Sequence, residues 1–361
     1  MRAAVPEDGL AGQALAEPVL AADGRVLCRA GAVLTVPVLE KLRQLEVDVV
    51  YVDDPGFGGI DARESVGCFA KSTMRRIMAS AASAVAAGRV PAGLNDRDIE
   101  RVAAEVLDAA AGDLPPCLLW SRERGLGAVG QVDWAEPGAV AGALAIHALN
   151  TALVVAASGR SLRLGPAQLP HLVVAALVLD VGMAAALGPV AWRRTGDLDA
   201  EERGRLRLHP QASLEAFDGS AHWDTFQRIA VLQHHERLDG SGYPYGLSGD
   251  RLHPAVLLVA AADMYAALCE PRPHRAAWRP EDVVEMLMST AGMEFPVEVV
   301  RAVVSAVGLY PRGGTVALSD GRTGVVVRSG QGNFDRPTVR IDGEEVDLNR
   351  DLTLALQGIV A

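Results

Sequence analysis

Aromatic side chains are scarce: 361 residues carry 6 Phe, 5 Trp and 5 Tyr, 4% in all. Alanine, valine and leucine dominate the apolar half of the chain, a composition that suits packed helices more than a β-sandwich. A positive excess is absent too, with 34 Lys and Arg against 45 Asp and Glu, a formal net charge of −11. That excludes a broad surface for a nucleic-acid polymer, though a small anion can still be held by local arginines or metals. The four cysteines, Cys28, Cys68, Cys117 and Cys269, are widely spaced with no C-x-x-C, so neither a zinc knuckle nor a disulfide framework is indicated. The first residues, MRAAVPEDGLAGQ, lack the apolar core of a signal peptide, so a reducing, bacterial-type cytosol is expected. No membrane segment is expected either. Leu172 to Trp192 is nearly long enough to span one, but Asp180, two glycines and Pro189 interrupt it, which favours a buried helix.

The length allows two or three domains. Residues 1–60 read as a small α/β module, with a hairpin signal at Asp23-Gly24, helical spacing over Val36 to Leu45 and a short strand from Val47 to Val52. Residues 61–116 follow a Gly/Pro linker and read as two amphipathic helices, Ser65 to Ala87 and Asn95 to Ala111. Residues 117–310 are the apolar helical centre. Residues 311–361 change character: Thr315 to Leu318, Gly324 to Arg328, Thr338 to Ile341 and Glu345 to Leu348 read as strands separated by turns, which predicts a barrel-like or meandering β module. No internal repeat or low-complexity tract is present. The fold class expected is mainly α, a helical domain flanked by these two small modules.

Three alanine-rich apolar stretches in the centre each carry an isolated ionisable residue: His147 in Ala139 to Ala157, Asp180 in Leu172 to Ala186, and Asp263 in Val256 to Leu268. An unpaired buried carboxylate costs several kcal/mol, on the order of the relaxed charge-burial penalty. Taken singly, His147 reads as a hydrogen-bonded core histidine, Asp180 as a helix cap and Asp263 as the partner of an arginine. Together with His209-Pro210 and His234-His235, a shared metal is the simpler account, because it neutralises carboxylates and accepts imidazole nitrogen.

The stretch Gln233 to Asp250, QHHERLDGSGYPYGLSGD, joins His234-His235-Glu236 to the turn-rich Asp239-Gly240-Ser241-Gly242-Tyr243-Pro244. It resembles the HD-GYP family of metal-dependent phosphodiesterases, and the resemblance covers roughly Ala139 to Leu309. The resemblance implies metal ligands at His147, Asp180, His209, His234, His235 and Asp263, with Asp180 bridging two metal positions and named as catalytic. It implies ligand contacts at Arg272 and Arg275, in Arg-Pro-His-Arg, and at Gly242, Tyr243 and Pro244. The bland readings are a surface or helix-cap arginine at Arg272 and a tight turn at Gly242.

The sequence departs from the family pattern at several points. The histidine of the His-Asp pair is Leu179, the lysine that follows is Met183, and the second acidic residue after Asp263 is Ala266. Ala143 stands where three-metal members carry a glutamate. The expectation is one intact position (Asp180, His209, His234, His235) holding iron, manganese or a similar divalent ion, and one damaged position. Three readings follow: a degenerate member that binds metal and cyclic di-GMP or a related dinucleotide with weak or no hydrolysis; an active cyclic di-GMP phosphodiesterase; and a scaffold that meets other signalling proteins through the Gly-Tyr-Pro loop. A homodimer is compatible with each.

Overall fold

The structure is a computed structural model that describes residues 2–4, 6–20, 26–45, 47, 50–54, 66, 68–86, 96–111, 137–162, 164–165, 167–183, 199–216, 223–272, 275–307, 309–310, 312–328 and 336–360. Its contacts divide the chain into two compact units, one of Met1–Phe69, Asp113–Gly127 and Gly308–Ala361, the other of Ala70–Gly112 and Ala128–Val307.

In the first unit, β1 (Arg2–Ala4) pairs antiparallel with β4 (Val50–Val52), and β2 (Val19–Leu20) pairs antiparallel with β3 (Val26–Cys28). Between β3 and β4 runs α1 (Val36–Gln44), which has proline in its first turn and buries Leu39 and Leu42. These join Leu10, Leu15, Val19, Leu34, Val50 and Val52 in one apolar core, so the α/β character expected for the N-terminal segment is present. The hairpin turn at Asp23-Gly24 lies outside the described residues.

The C-terminal strands are β5 (Thr315–Leu318), β6 (Thr323–Arg328), β7 (Thr338–Ile341), β8 (Glu344–Asp347) and β9 (Leu356–Val360), in the antiparallel order β8-β7-β6-β5-β9. Strand β9 was not expected from the sequence. It adds to the free side of β5, so β8 and β9 end as the two edges. The described strands thus make an open sheet in which β5 to β8 form the expected meander, rather than a barrel-like module.

The second unit is helical: α2 (Cys68–Ala86), α3 (Asp96–Ala109), α4 (Pro137–Gly159), α5 (Gln168–Val178), α6 (Ala200–Leu206), α7 (His209–Ala216), α8 (Thr225–Gln233), α9 (Pro254–Cys269), α10 (Pro280–Ser289) and α11 (Val297–Ala306). The chain is therefore mainly helical with an antiparallel sheet at its C-terminal end. Helix α4 is central and packs against α5, α9, α11 and α3. Its segment Val140–Gly159 is long and apolar enough to cross a membrane by composition alone, but 78% of that window is buried inside the protein, as in the core helix of a packed bundle. In the stretch singled out from sequence, Leu172 to Trp192, the helix ends at Val178 and a turn runs to Gly182 before helix resumes at Met183, and residues 184–198 lie outside the described ones. Asp199 and Asp224 start α6 and α8 through capping boxes with Glu202 and Gln227, which fixes where the next histidines fall.

Candidate metal centre

The expected ligands come from five places in the helical unit, with His234 and His235 adjacent. His147 lies mid-helix in α4, in a buried stretch that is apolar but for Asn150 and Thr151. Asp263 holds the equivalent place in α9. Asp180 does not sit inside a helix, as the apolar run suggested, but in the turn after α5. That turn lies directly on α7: the N–H of Gly182 donates to Ser213 Oγ (2.8 Å), and Ser213 Oγ donates to the Leu179 carbonyl (2.6 Å). A Cβ at Gly182 would collide with the His209 carbonyl and the Ser213 nitrogen, so glycine is what lets the Asp180 turn reach the start of α7. His209 opens α7, and His234 and His235 follow the end of α8.

The side chains form two groups, each with ligand atoms within 4.8 Å of one another: His209, His234 and His235, and His147, Asp180 and Asp263. Asp180 faces both. Its Oδ1 lies 3.3 Å from His209 Nε2 and 4.0 Å from His234 Nε2, while its Oδ2 lies 3.3 Å from His147 Nε2. All six expected ligands are therefore brought together. His235 is half-buried and the other five are buried.

The donor chemistry fits a cation. His209 Nδ1–H donates to the Leu206 carbonyl (2.7 Å), and His234 Nδ1–H donates to the Val231 carbonyl (2.6 Å). A carbonyl can only accept, so both neutral rings present bare Nε2 lone pairs. Those two nitrogens face each other at 3.1 Å, beside a carboxylate oxygen. Three acceptors converging in a buried space repel unless a positive charge lies among them. Burial holds the His209 imidazole down at about 4, with the charge of Asp180 opposing and His234 reinforcing it. Burial likewise holds His235 well below the usual range, reinforced by His234. Both rings are neutral near pH 7, the form that ligates.

The second group has a different balance. His147 Nδ1 is 2.8 Å from Glu270 Oε2, and its Nε2 is 2.9 Å from Asp263 Oδ1. Burial disfavours the imidazolium, but the charge of Glu270 and hydrogen bonds to Asp180, Asp263 and Glu270 outweigh it and raise the pKa well above its ordinary value. Asp263 is correspondingly brought down to about 2: burial opposes this, while the hydrogen bond and charge of His147 win. Asp180 is lowered further, against burial, by His147 and then by His209 and His234.

Leu179, at the expected histidine position, has a fully buried side chain. Met183 lies four residues on and brings no charge. The other expected contacts divide. Tyr243 stacks on His235 with centroids 4.5 Å apart and 21° between planes, and its N–H donates to the His235 carbonyl (3.2 Å). Gly242 lies so close to the backbone of His235, Glu236 and Arg237 that a Cβ there would overlap it. Pro244 follows Tyr243 through a cis peptide bond. Arg272 reaches Glu270 Oε2 at 3.4 Å, beside His147. Arg275 instead donates to the carbonyls of Ala267, Leu268 and Ala276 (2.7, 3.0 and 3.0 Å); its guanidinium caps the end of α9. Pro273 and His274 lie outside the described residues.

Two buried carboxylates hold partners that the sequence reading did not assign: Glu270, which it did not single out, and Glu236, which it used only as part of the His-His-Glu motif. Glu270, buried, ties His147 to Asn150, whose Nδ2 donates to Glu270 Oε1 (2.8 Å). Glu236, also buried, accepts the N–H groups of Tyr245 and Leu247 at 2.7 and 2.9 Å. Its place beside His235 was the available signal.

Residues 140–297 match the family model described as HD domain. Over those residues the chain is similar to HD-domain proteins. The fold implies a divalent metal, and the two side-chain groups above are the candidates for it. A cyclic di-GMP phosphodiesterase of Pseudomonas aeruginosa is 30% identical over 196 residues, 54% of this chain and 47% of that protein. The cyclic di-GMP phosphodiesterase response regulator RpfG of Xanthomonas campestris is 33% identical over 112 residues, 31% of this chain and 30% of that protein. The cyclic di-GMP phosphodiesterase PdeB of Borreliella burgdorferi is 23% identical over 207 residues, 56% of this chain and 54% of that protein. The chain spans about half the length or less of these curated relatives.

Proposed function

We propose that this protein is a degenerate HD-GYP-type signalling protein that binds one divalent metal and a cyclic dinucleotide, with weak or no hydrolysis. The observation that carries the reading is the pair of bare Nε2 atoms of His209 and His234, 3.1 Å apart beside Asp180. Asp180, His209, His234 and His235 would hold the ion, iron or manganese. Bound there, a divalent cation supplies Lewis acidity and charge toward a phosphate oxygen. The chain's own residues do the rest: Asp180 shares its two oxygens between the groups, Tyr243 walls the His235 side, and the Gly242-Tyr243-Pro244 loop shapes the entrance. Arg272 is the better placed of the two expected arginines for phosphate, because Arg275 is committed to backbone carbonyls. At the second position Leu179 offers no ligand atom and Met183 no charge, which supports weak turnover. We also propose the division 1–60, 61–116, 117–310 and 311–361 as the functional segments.

The runner-up is an active cyclic di-GMP phosphodiesterase, favoured by the survival of His147, Asp180 and Asp263 within 4.8 Å of one another. Metal analysis of the purified protein, with turnover of cyclic di-GMP in added manganese or iron, separates the two. One ion per chain, dinucleotide binding and little turnover are expected, and Leu179→His with Met183→Lys should raise both metal content and turnover. Two ions and rapid turnover in the parent protein would establish the active enzyme. No ion and no dinucleotide binding would leave a scaffold acting through its loop.

A further inference from the structure

His235 and Tyr243 are half-buried where His147, Asp180, His209, His234 and Asp263 are buried, so the ligand cluster opens to solvent on their side. Arg207 stands there. It is exposed, at the C-terminal end of α6. Its guanidinium carbon lies 5.4 Å from the centroid of the Tyr243 ring, which stacks on His235 and meets the His209 ring edge-on at 6.4 Å.

The neighbouring arginines already have protein partners, including Arg272, the better placed of the Arg-Pro-His-Arg pair. Arg237 pairs with Glu294 and donates to two carbonyls, Arg272 pairs with Glu270, and Arg275 caps α9. Among the described residues the Arg207 guanidinium makes no hydrogen bond or ion pair. Its five N–H donors are held over a ring beside the cluster, in a fork that matches two oxygens of a phosphate. As a surface contact alone, the arginine–tyrosine pair contributes about 0.5–1 kcal/mol. That gives Arg207 no reason to keep its donors free.

We propose that Arg207 is a phosphate-binding residue of this site, set by Tyr243 to take a phosphodiester group of the ligand. It supplies the positive charge that Met183 does not. The inference rests on the reading of the site as one for a cyclic dinucleotide, and it adds a residue that the sequence resemblance did not single out.

Calorimetric titration of the metal-loaded full chain with cyclic di-GMP tests it, comparing the parent with Arg207→Ala and Arg207→Lys. Metal content and thermal midpoint are measured alongside, because Arg207 touches no expected metal ligand directly. The alanine variant is expected to bind about tenfold or more weakly, the range of a lost charge-assisted contact, with unchanged metal content. Lysine should recover only part, since it keeps the charge and loses the fork. Added salt should weaken the parent more than the alanine variant. Equal affinity in parent and Arg207→Ala would overturn this assignment and leave the proposed function standing. So would loss of metal or of the folded state in Arg207→Ala, which would make the residue structural. A parent protein that binds metal but no cyclic di-GMP would overturn the ligand reading and this inference with it.

Discussion

Replacing Glu236 by alanine should unfasten the Gly-Tyr-Pro loop, and the size of the effect follows from its two partners. The carboxylate is fully buried and accepts the N–H groups of Tyr245 and Leu247. Without it, both donors lose their only partner across the loop, and an unsatisfied buried donor costs about 1–3 kcal/mol. The two are not equal. Tyr245 is 56% exposed, so water can reach its amide and its share falls at the low end. Leu247 is 7% exposed and keeps most of the penalty. The expected loss is about 2–4 kcal/mol, or about 4–16 °C in the transition of the helical unit at roughly 2–4 °C per kcal/mol. Glu236→Gln keeps one acceptor oxygen but turns an NH2 toward the other donor, so it should fall between parent and alanine. Urea unfolding gives the free energy, and amide hydrogen exchange at Tyr245 and Leu247 locates it. An alanine variant within about 0.5 kcal/mol of the parent, the range of ordinary surface changes, would refute the claim that this carboxylate holds the loop.

Two more outcomes follow from the same packing. Stripped of metal, the protein should lose stability as pH falls from about 6.5 to about 4, because burial, against the opposing charge of Asp180, holds His209 at about 4 while the unfolded ring titrates near 6.5. A histidine whose folded pKa is lowered contributes fully above its unfolded value and loses that contribution on acidification. The span is worth about 3 kcal/mol. His147, raised, is protonated in both states across this window and does not offset it. Urea midpoints at pH 7, 5.5 and 4 read the effect, and a flat series would contradict it. Gly182→Ala should destabilise by about 1–3 kcal/mol through overpacking, since its Cβ meets the His209 carbonyl and Ser213 nitrogen. It should lower metal content as well, and a variant with parental stability and metal load would show that the close approach is dispensable.

The sequence made part of this legible for a specific reason. His147 and Asp263 stand out because their helices are otherwise almost wholly apolar, Asn150 and Thr151 excepted, and burial of such groups demands a partner wherever the helices meet. Asp180 stood out equally, but its element was misread: an apolar run cannot show that the helix stops at Val178, and the stop is what points the carboxylate at both groups. The partners of the two buried carboxylates were not legible. Glu236 finds its partners 9 and 11 residues away, and Glu270 finds His147 across 123 residues. No local periodicity encodes those pairings. The same holds for the arginines of Arg-Pro-His-Arg, whose different tasks depend on where the end of α9 leaves its carbonyls. Strand β9 went unread because Leu356–Val360 carries a glycine at positive φ and no alternation strong enough to announce an edge.

On the proposed reading, the way Asp180 is held would let one metal position outlast the loss of a ligand at the other. Its turn is fastened by main-chain groups: Ser213 Oγ bridges the Leu179 carbonyl and the Gly182 N–H, and the absence of a side chain at Gly182 sets the distance to α7. None of these contacts uses the side chain of residue 179. A histidine-to-leucine difference there therefore removes one imidazole without releasing the carboxylate that both groups share. Asp180 Oδ1 stays 3.3 Å from His209 Nε2, and the orientations of His209 and His234 are set separately by the Leu206 and Val231 carbonyls. The side chain at residue 179 is in this way uncoupled from the geometry around His209 and His234, which is the physical condition the proposed reading needs: binding that survives without the ligand expected at residue 179.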